Sequence, residues 1–156
     1  MKVIFLDIDG VLNTEKRLLN NNGELYVEKD KIELLKEIID KTKAKVVLSS
    51  TWRVLAQSKD SKEYPKYEAF EIELEKHGIA ILGYTPVFLD YRPLEIKMWL
   101  ESQSDQEICF VSLDDDFEKK DYDKYGIGDC LIKTDFSTGM TEAHAKRAVE
   151  LLNREK

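Results

Sequence analysis

Apolar positions along the chain keep two alternating rhythms. Lys2 to Asp7 (KVIFLD) is short, rich in β-branched residues and apolar until its last position, the pattern of a buried parallel strand that ends at Asp7. Residues 29–42 then place Ile32, Leu35, Ile38 and Ile39 on one helical stripe, and Lys45 to Leu48 is a second buried strand. Helical spacing returns in Tyr67 to Glu75, with a stop at Gly78 and an apolar strand at Ile79 to Leu82. A helix over Pro93 to Ser102 starts on proline, and Ile108 to Leu113 is the next strand, closing on Asp114. A strand at Cys130 to Lys133 and a helix from Thr141 to about Asn153 follow. Strands and helices in alternation predict an α/β fold, a parallel sheet with helices on both faces. Between the first strand and the first helix, residues 11–28 carry Asn20, Asn21, Asn22 and Gly23, types that tolerate positive φ, and predict a small hairpin flap. With no repeat, low-complexity run or linker, residues 1–156 read as one domain.

Composition narrows the class. Over 156 residues, 24 Lys+Arg against 31 Asp+Glu give a net charge of −7, with 35% charged and 42% hydrophobic residues. That balance predicts a globular chain with a full core, and no apolar run approaches the roughly 20 residues of a bilayer span. The acid excess argues against general nucleic-acid or membrane binding, which needs a basic face, but it leaves room for a local basic pocket. Cys109 and Cys130 lie in apolar runs and the Met1 end lacks the order of a signal peptide, so a reduced cytoplasmic setting is expected. His77 and His144, the other soft ligands, have no zinc spacing and read as solvated or helix-terminal.

In an open parallel sheet, ligands bind outside the carboxyl ends of the strands. The residues just after the apolar runs are Asp7, Asp9 and Gly10, then Ser49, Ser50 and Thr51, then Asp114, Asp115 and Asp116. Carboxylates gathered on one edge raise one another's pKa unless a cation is present, and Mg²⁺ with oxygen ligands is the simplest resolution. A single Asp after a strand is an ordinary turn or cap residue, so the weight rests on the combination.

That combination, VIFLDIDGVLN, VVLSSTWR, an Arg-Pro-led helix and FVSLDDD in this order, resembles the haloacid dehalogenase (HAD) superfamily of phosphohydrolases over almost the whole chain. The capless phosphatases look closest, among them the phosphatase domains of polynucleotide kinase and of RNA-repair proteins. The resemblance implies a three-layer, Rossmann-like sheet and a phosphatase working through an aspartyl phosphate on Asp7, with Asp9 as general acid and base. It implies a metal held by Asp7, by the Asp9 carbonyl and by an acid of the last motif, Asp115 directly with Asp114 orienting it. Ser49 resembles the hydroxyl that binds a phosphoryl oxygen, with Ser50 and Thr51 as substitutes. The basic motif is commonly Lys-Pro; here Arg92-Pro93 matches in position but not in residue, and Lys97 competes. Arg53 reads equally as a phosphate contact or as a solvated helix-start cation. Trp52 could stack a base or ring, but a core or rim aromatic is the favoured reading, and Trp99 reads as core.

Members of this superfamily select substrates with cap insertions, and neither gap here has room for one. An open site suits a phosphorylated substrate, small or macromolecular. The stretch Lys59 to Lys66 with Lys16 and Arg17 offers a basic rim, but its acids nearly cancel it and a solvated loop is expected. Three readings remain: a Mg²⁺-dependent phosphomonoesterase, a nucleic-acid end-processing (3′-phosphate) phosphatase, and a non-catalytic phosphate-binding module.

Overall fold

The computed structural model describes residues 1–21, 25–103 and 107–155. Its elements are β1 (Lys2–Leu6), α1 (Glu15–Leu19), α2 (Lys29–Thr42), β2 (Lys45–Leu48), α3 (Arg53–Ala56), α4 (Tyr64–Lys76), β3 (Ile81–Tyr84), α5 (Arg92–Ser102), β4 (Cys109–Asp114), α6 (Lys119–Asp123), β5 (Leu131–Lys133) and α7 (Glu142–Leu152). The five strands form one sheet in the order β3-β2-β1-β4-β5, and every pairing is parallel. Among the described residues no helix is long and apolar enough to cross a membrane.

Two-residue alternation along the strands feeds two cores. Ile4, Leu6, Val46, Leu48, Val111 and Leu113 face one layer with Ile32, Leu35 and Ile38 of α2, Phe70 and Leu74 of α4, and Ala145, Ala148 and Leu152 of α7. Val3, Phe5 and Val47 face the other layer with Ile96 and Trp99 of α5 and Tyr122 of α6. Trp99 packs edge-on against Phe5, as its place in the helical stripe predicts.

Several expectations need correction. Among its described residues the segment after β1 holds a short helix and no strand: Thr14 caps α1 by accepting from the Arg17 N–H at 3.3 Å, and Glu15 N–H donates to Phe136 O at 3.0 Å. Part of the expected hairpin tip, residues 22–24, lies outside the described residues. The third strand starts two residues later than its apolar run, because Gly78, at φ 71°, turns Ile79 back so that its N–H caps α4 at Leu74 O and its side chain enters the core. As an edge strand β3 leaves Leu82 exposed, unlike the buried inner strands. Gly128–Cys130 is a 3₁₀ turn preceding β5, and α1, α3 and α6 are too short to leave a periodic signal.

The topology fixes where a ligand can bind. The chain runs β1, β2, β3 toward one edge, then crosses to β4 and β5 on the far side of β1. The loops leaving β1 and β4 therefore diverge, and the crevice between their carboxyl ends is the switch point of the sheet.

Candidate active site

Register brings the site together. Leu6 pairs with Leu48 on one side and Leu113 on the other, so Asp7, Ser49 and Asp114 are the next residues on three adjacent strands. Ser49 N–H donates to Leu6 O at 2.9 Å, and Asp7 N–H to Leu113 O at 3.1 Å. Alternation then turns Asp7, Ser49 and Asp114 toward the α5 and α6 layer, since Leu6, Leu48 and Leu113 all face the other.

Arg92, the first residue of α5, closes that side. Its Nη1 donates to Asp7 Oδ2 at 3.3 Å and to Asp114 Oδ1 at 2.5 Å, and its Nε donates to Ser49 O at 3.1 Å. Nη2 makes no hydrogen bond to the described residues. Lys97 is not brought here: its side chain is 38% exposed and its Nζ lies 3.7 Å from Glu101 on the outer face of α5. The reason is helical spacing, because residue 97 lies on a different face from residue 92.

The three carboxylates of Asp7, Asp114 and Asp115 offer oxygen atoms within 4.8 Å of one another. Their environments differ. Asp114 is fully buried and saturated: Oδ1 also accepts from Asp116 N–H at 2.9 Å, and Oδ2 accepts from Tyr122 O–H at 2.7 Å. Tyr122 in turn meets Ser112 Oγ at 2.8 Å. Asp115 lies against Asp7, and burial together with Asp114 holds its pKa up. Asp7 is raised further: burial dominates, Arg92 opposes it, and Asp114 and Asp115 add to it. A cluster of hard oxygen donors whose charge is not balanced by Arg92 alone fits a dication such as Mg²⁺.

Gly10 makes the close approach possible. It sits at φ 81°, and a Cβ there would lie 2.1 Å from Asp115 Oδ2. Its N–H donates to Asn13 Oδ1 at 2.9 Å, and its carbonyl accepts from Thr134 Oγ1 at 2.7 Å.

Asp9 is held from two sides. Asn13 Nδ2 donates to Oδ1 at 2.9 Å and to Tyr26 O at 3.1 Å, while the Trp52 indole Nε1 donates to Oδ2 at 3.2 Å. Neither partner was legible as such: Asn13 stands four residues on in a turn, and Trp52 is 43 residues away, so only the fold makes them neighbours. Trp52 is buried, edge-on to Tyr26 and Phe70, and the Lys66 ammonium lies 4.2 Å from the centre of its ring.

The residues after β2 divide their work. Ser49 Oγ is buried without a hydrogen-bond partner. Ser50 Oγ accepts from Trp52 N–H at 3.1 Å and so shapes the turn, while Thr51 is exposed. Arg53 is neither solvated nor open: Nε donates to Thr85 O, Nη1 to Ser49 O and Ser50 O, Nη2 to Pro86 O, and Nη2 lies 2.9 Å from Glu95 Oε1. All five guanidinium protons are committed. Arg53 therefore has no donor left for a phosphate and instead clamps the loops after β2 and β3 to α5.

A parallel α/β sheet of this order, with aspartates from two adjacent strand ends around a buried arginine, defines the Rossmann-like class of HAD hydrolases. Within that class the chain belongs to the family described as the HAD domain in Swiss Army Knife RNA repair proteins, whose family model matches residues 3–145. Neither curated proteins nor solved structures gave a significant match. Membership implies a phosphatase-type hydrolase whose chemistry is centred on the acidic cluster.

Proposed function

We propose that the protein is a Mg²⁺-dependent phosphomonoester hydrolase that works through an aspartyl phosphate on Asp7. The observation that carries this reading is the placement of Asp7, flanked by Arg92, Asp114 and Asp115, beside an Asp9 held apart by its own donors. The Asp7 carboxylate attacks phosphorus in line, and the bond from phosphorus to the leaving oxygen breaks as Asp9 gives that oxygen its proton. Asp9, now ionised, takes a proton from the water that attacks the aspartyl phosphate, which returns Asp7 and releases inorganic phosphate. Asn13 and Trp52 fix the Asp9 carboxyl on the leaving-group side throughout.

Asp7, the Asp9 carbonyl and Asp115 would hold the metal; the saturation of Asp114 by Arg92, Asp116 and Tyr122 supports a role for it in orienting the arginine. When bound, the dication supplies the positive charge that keeps Asp7 and Asp115 ionised and offsets the charge of the phosphoryl group. Arg92 Nη2 and the unpartnered Ser49 hydroxyl are the donors available to phosphoryl oxygens. Ser50, Arg53 and Lys97 are left out of phosphate binding for the reasons given above.

The test is turnover of a generic phosphomonoester with Mg²⁺ by wild type and by Asp7→Asn. Loss of at least about 10³-fold in the variant, with the fold retained, is expected. Unchanged turnover in Asp7→Asn, or none by wild type on any phosphoester, would overturn the reading and leave the non-catalytic phosphate-binding module. The family's description names RNA repair, which supports a narrower reading, a phosphatase acting on nucleic-acid ends such as 3′-phosphates. It fits the segment between β2 and α5, whose α3, α4 and β3 join the layers of the same sheet rather than standing over the site. Such an enzyme turns over a 3′-phosphorylated oligonucleotide well above an aryl phosphate. No membrane partner is proposed, and a cytoplasmic setting remains part of the reading.

A further inference from the structure

On the leaving-group side of Asp9 the chain builds an aromatic and cationic wall. Lys66, near the start of α4, places its ammonium 4.4 Å from the centre of the Tyr26 ring and 4.2 Å from that of Trp52. The two rings stand edge to face with centres 6.1 Å apart, so one cation serves both. Both are tied to Asp9, Trp52 through its indole N–H and Tyr26 through the Asn13 amide that bridges its carbonyl to the carboxylate. Trp52 thus links Lys66, over its ring, to the proposed acid at its indole N–H. Tyr26, Lys62, Glu63, Pro65 and Lys66 also line an open cavity of about 580 Å³, in which the two lysines outnumber the one acid.

Among the described residues no carboxylate lies within ion-pair distance of Lys66 or Lys62, although most other lysines of the chain's helices have one. Lys66 is half-buried and held by two rings, so its position is set before any ligand arrives. A fixed cation with no ion pair among the described residues, sharing Trp52 with the acid that protonates the leaving group, is suited to read negative charge on that leaving group.

We propose that Lys66, held by Tyr26 and Trp52, is a specificity-determining residue that binds a second phosphate on the leaving group. The proposal rests on the phosphatase reading, because that reading makes the Asp9 side the leaving-group side. The class of substrate it selects is a phosphomonoester carrying another phosphate about one ribose away, as in a nucleoside 3′,5′-bisphosphate or the end of an oligonucleotide. A bare phosphomonoester makes no use of Lys66. The expectation of a solvated loop at Lys59 to Lys66 is corrected in this respect: the ammonium of Lys66 is stacked, not dispersed in solvent.

The experiment compares a nucleoside 3′-monophosphate, the matching 3′,5′-bisphosphate and a dinucleotide 3′-phosphate. Each is measured by turnover with wild type, Lys66→Met and Lys66→Arg, and by calorimetric binding in an Asp7→Asn background. Methionine keeps the stem packed on the rings and removes only the charge. Wild type is expected to prefer the bisphosphate over the monophosphate by about tenfold, a preference that weakens with salt. Lys66→Met should collapse that ratio toward one and Lys66→Arg should restore most of it. A dinucleotide that shares the preference points to an oligonucleotide end as the source of the second phosphate; one that does not points to a small bisphosphate. A binding ratio that is the same in wild type and Lys66→Met overturns the proposal. If the binding ratio shifts as expected but nothing is hydrolysed, the subsite stands and the phosphatase reading falls.

Discussion

Two buried arginines meet at one carbonyl. Arg53 Nη1 and Arg92 Nε both donate to Ser49 O at 3.1 Å, yet their surroundings give them opposite tasks. Around Arg53 lie backbone carbonyls and one carboxylate in contact, Glu95; burial, helped by repulsion from Arg92, outweighs Glu95 and the weaker pull of Asp90 and lowers its pKa. Around Arg92 burial also works against the charge, but Asp7 and Asp114 more than offset it and its pKa is raised. The first guanidinium is a closed structural clamp. The second is an unfinished one, with acids to spare on its partners and an Nη2 that makes no hydrogen bond among the described residues. A buried arginine signals function when its surroundings are over-supplied with negative charge, and structure when its five protons are all spoken for.

Substituting each arginine by methionine breaks this comparison most directly. Arg92→Met is expected to cost about 10²-fold to 10³-fold in kcat on a phosphomonoester, the scale for removing a preorganised donor at developing charge. Arg53→Met leaves Glu95 buried without its cation and several carbonyls without donors, at a cost of about 3–5 kcal/mol. For a chain of this size that lowers the melting temperature by about 6–20 °C. If the urea-unfolding series shows Arg53→Met fully stable but inactive, the division of labour is wrong.

A smaller effect sharpens the role of the acids around Arg92. Asp7 and Asp115 have folded pKa values raised above their unfolded ones, so the native state holds extra protons there. Their contribution to stability is therefore complete below about pH 4, the unfolded carboxyl value, and is lost as pH rises through the raised values. Mg²⁺ at the cluster removes that loss, and at one hundred times its dissociation constant stabilises by about 2.7 kcal/mol. The melting temperature should thus rise more on adding Mg²⁺ at about pH 7.5 than at about pH 5. An equal rise at both, or none, would separate the acids from the metal.

Legibility differed between the fold and the site. The strands β1, β2 and β4 are readable because each is a continuous apolar run with a polar end, and parallel strands buried on both faces need that pattern. β3 was displaced because Ile79 spends its apolar side chain on the core before the strand begins. Asp7, Asp9, Ser49, Asp114 and Asp115 stand where apolar runs end, and it is their combination in that order that singled them out. Arg92 and Lys97 were distinguishable only by the face of α5 that each occupies. Lys66 stood out only as the end of a rim whose acids nearly cancel it and Trp52 only as an aromatic after β2, since the partners that join them are far along the chain.

The four aspartates at positions 7, 9, 114 and 115 account for four of the seven units of net negative charge. Their presence, the alternation of elements and the place of each acid after a strand are properties of the chain itself, because periodicity and composition are local. Which acid is saturated, which arginine is closed, which hydroxyl is left without a partner and which lysine is stacked were decided by the tertiary structure. Hydrogen-bond donors are finite and burial is collective, so the state of each group depends on neighbours that only folding brings within reach.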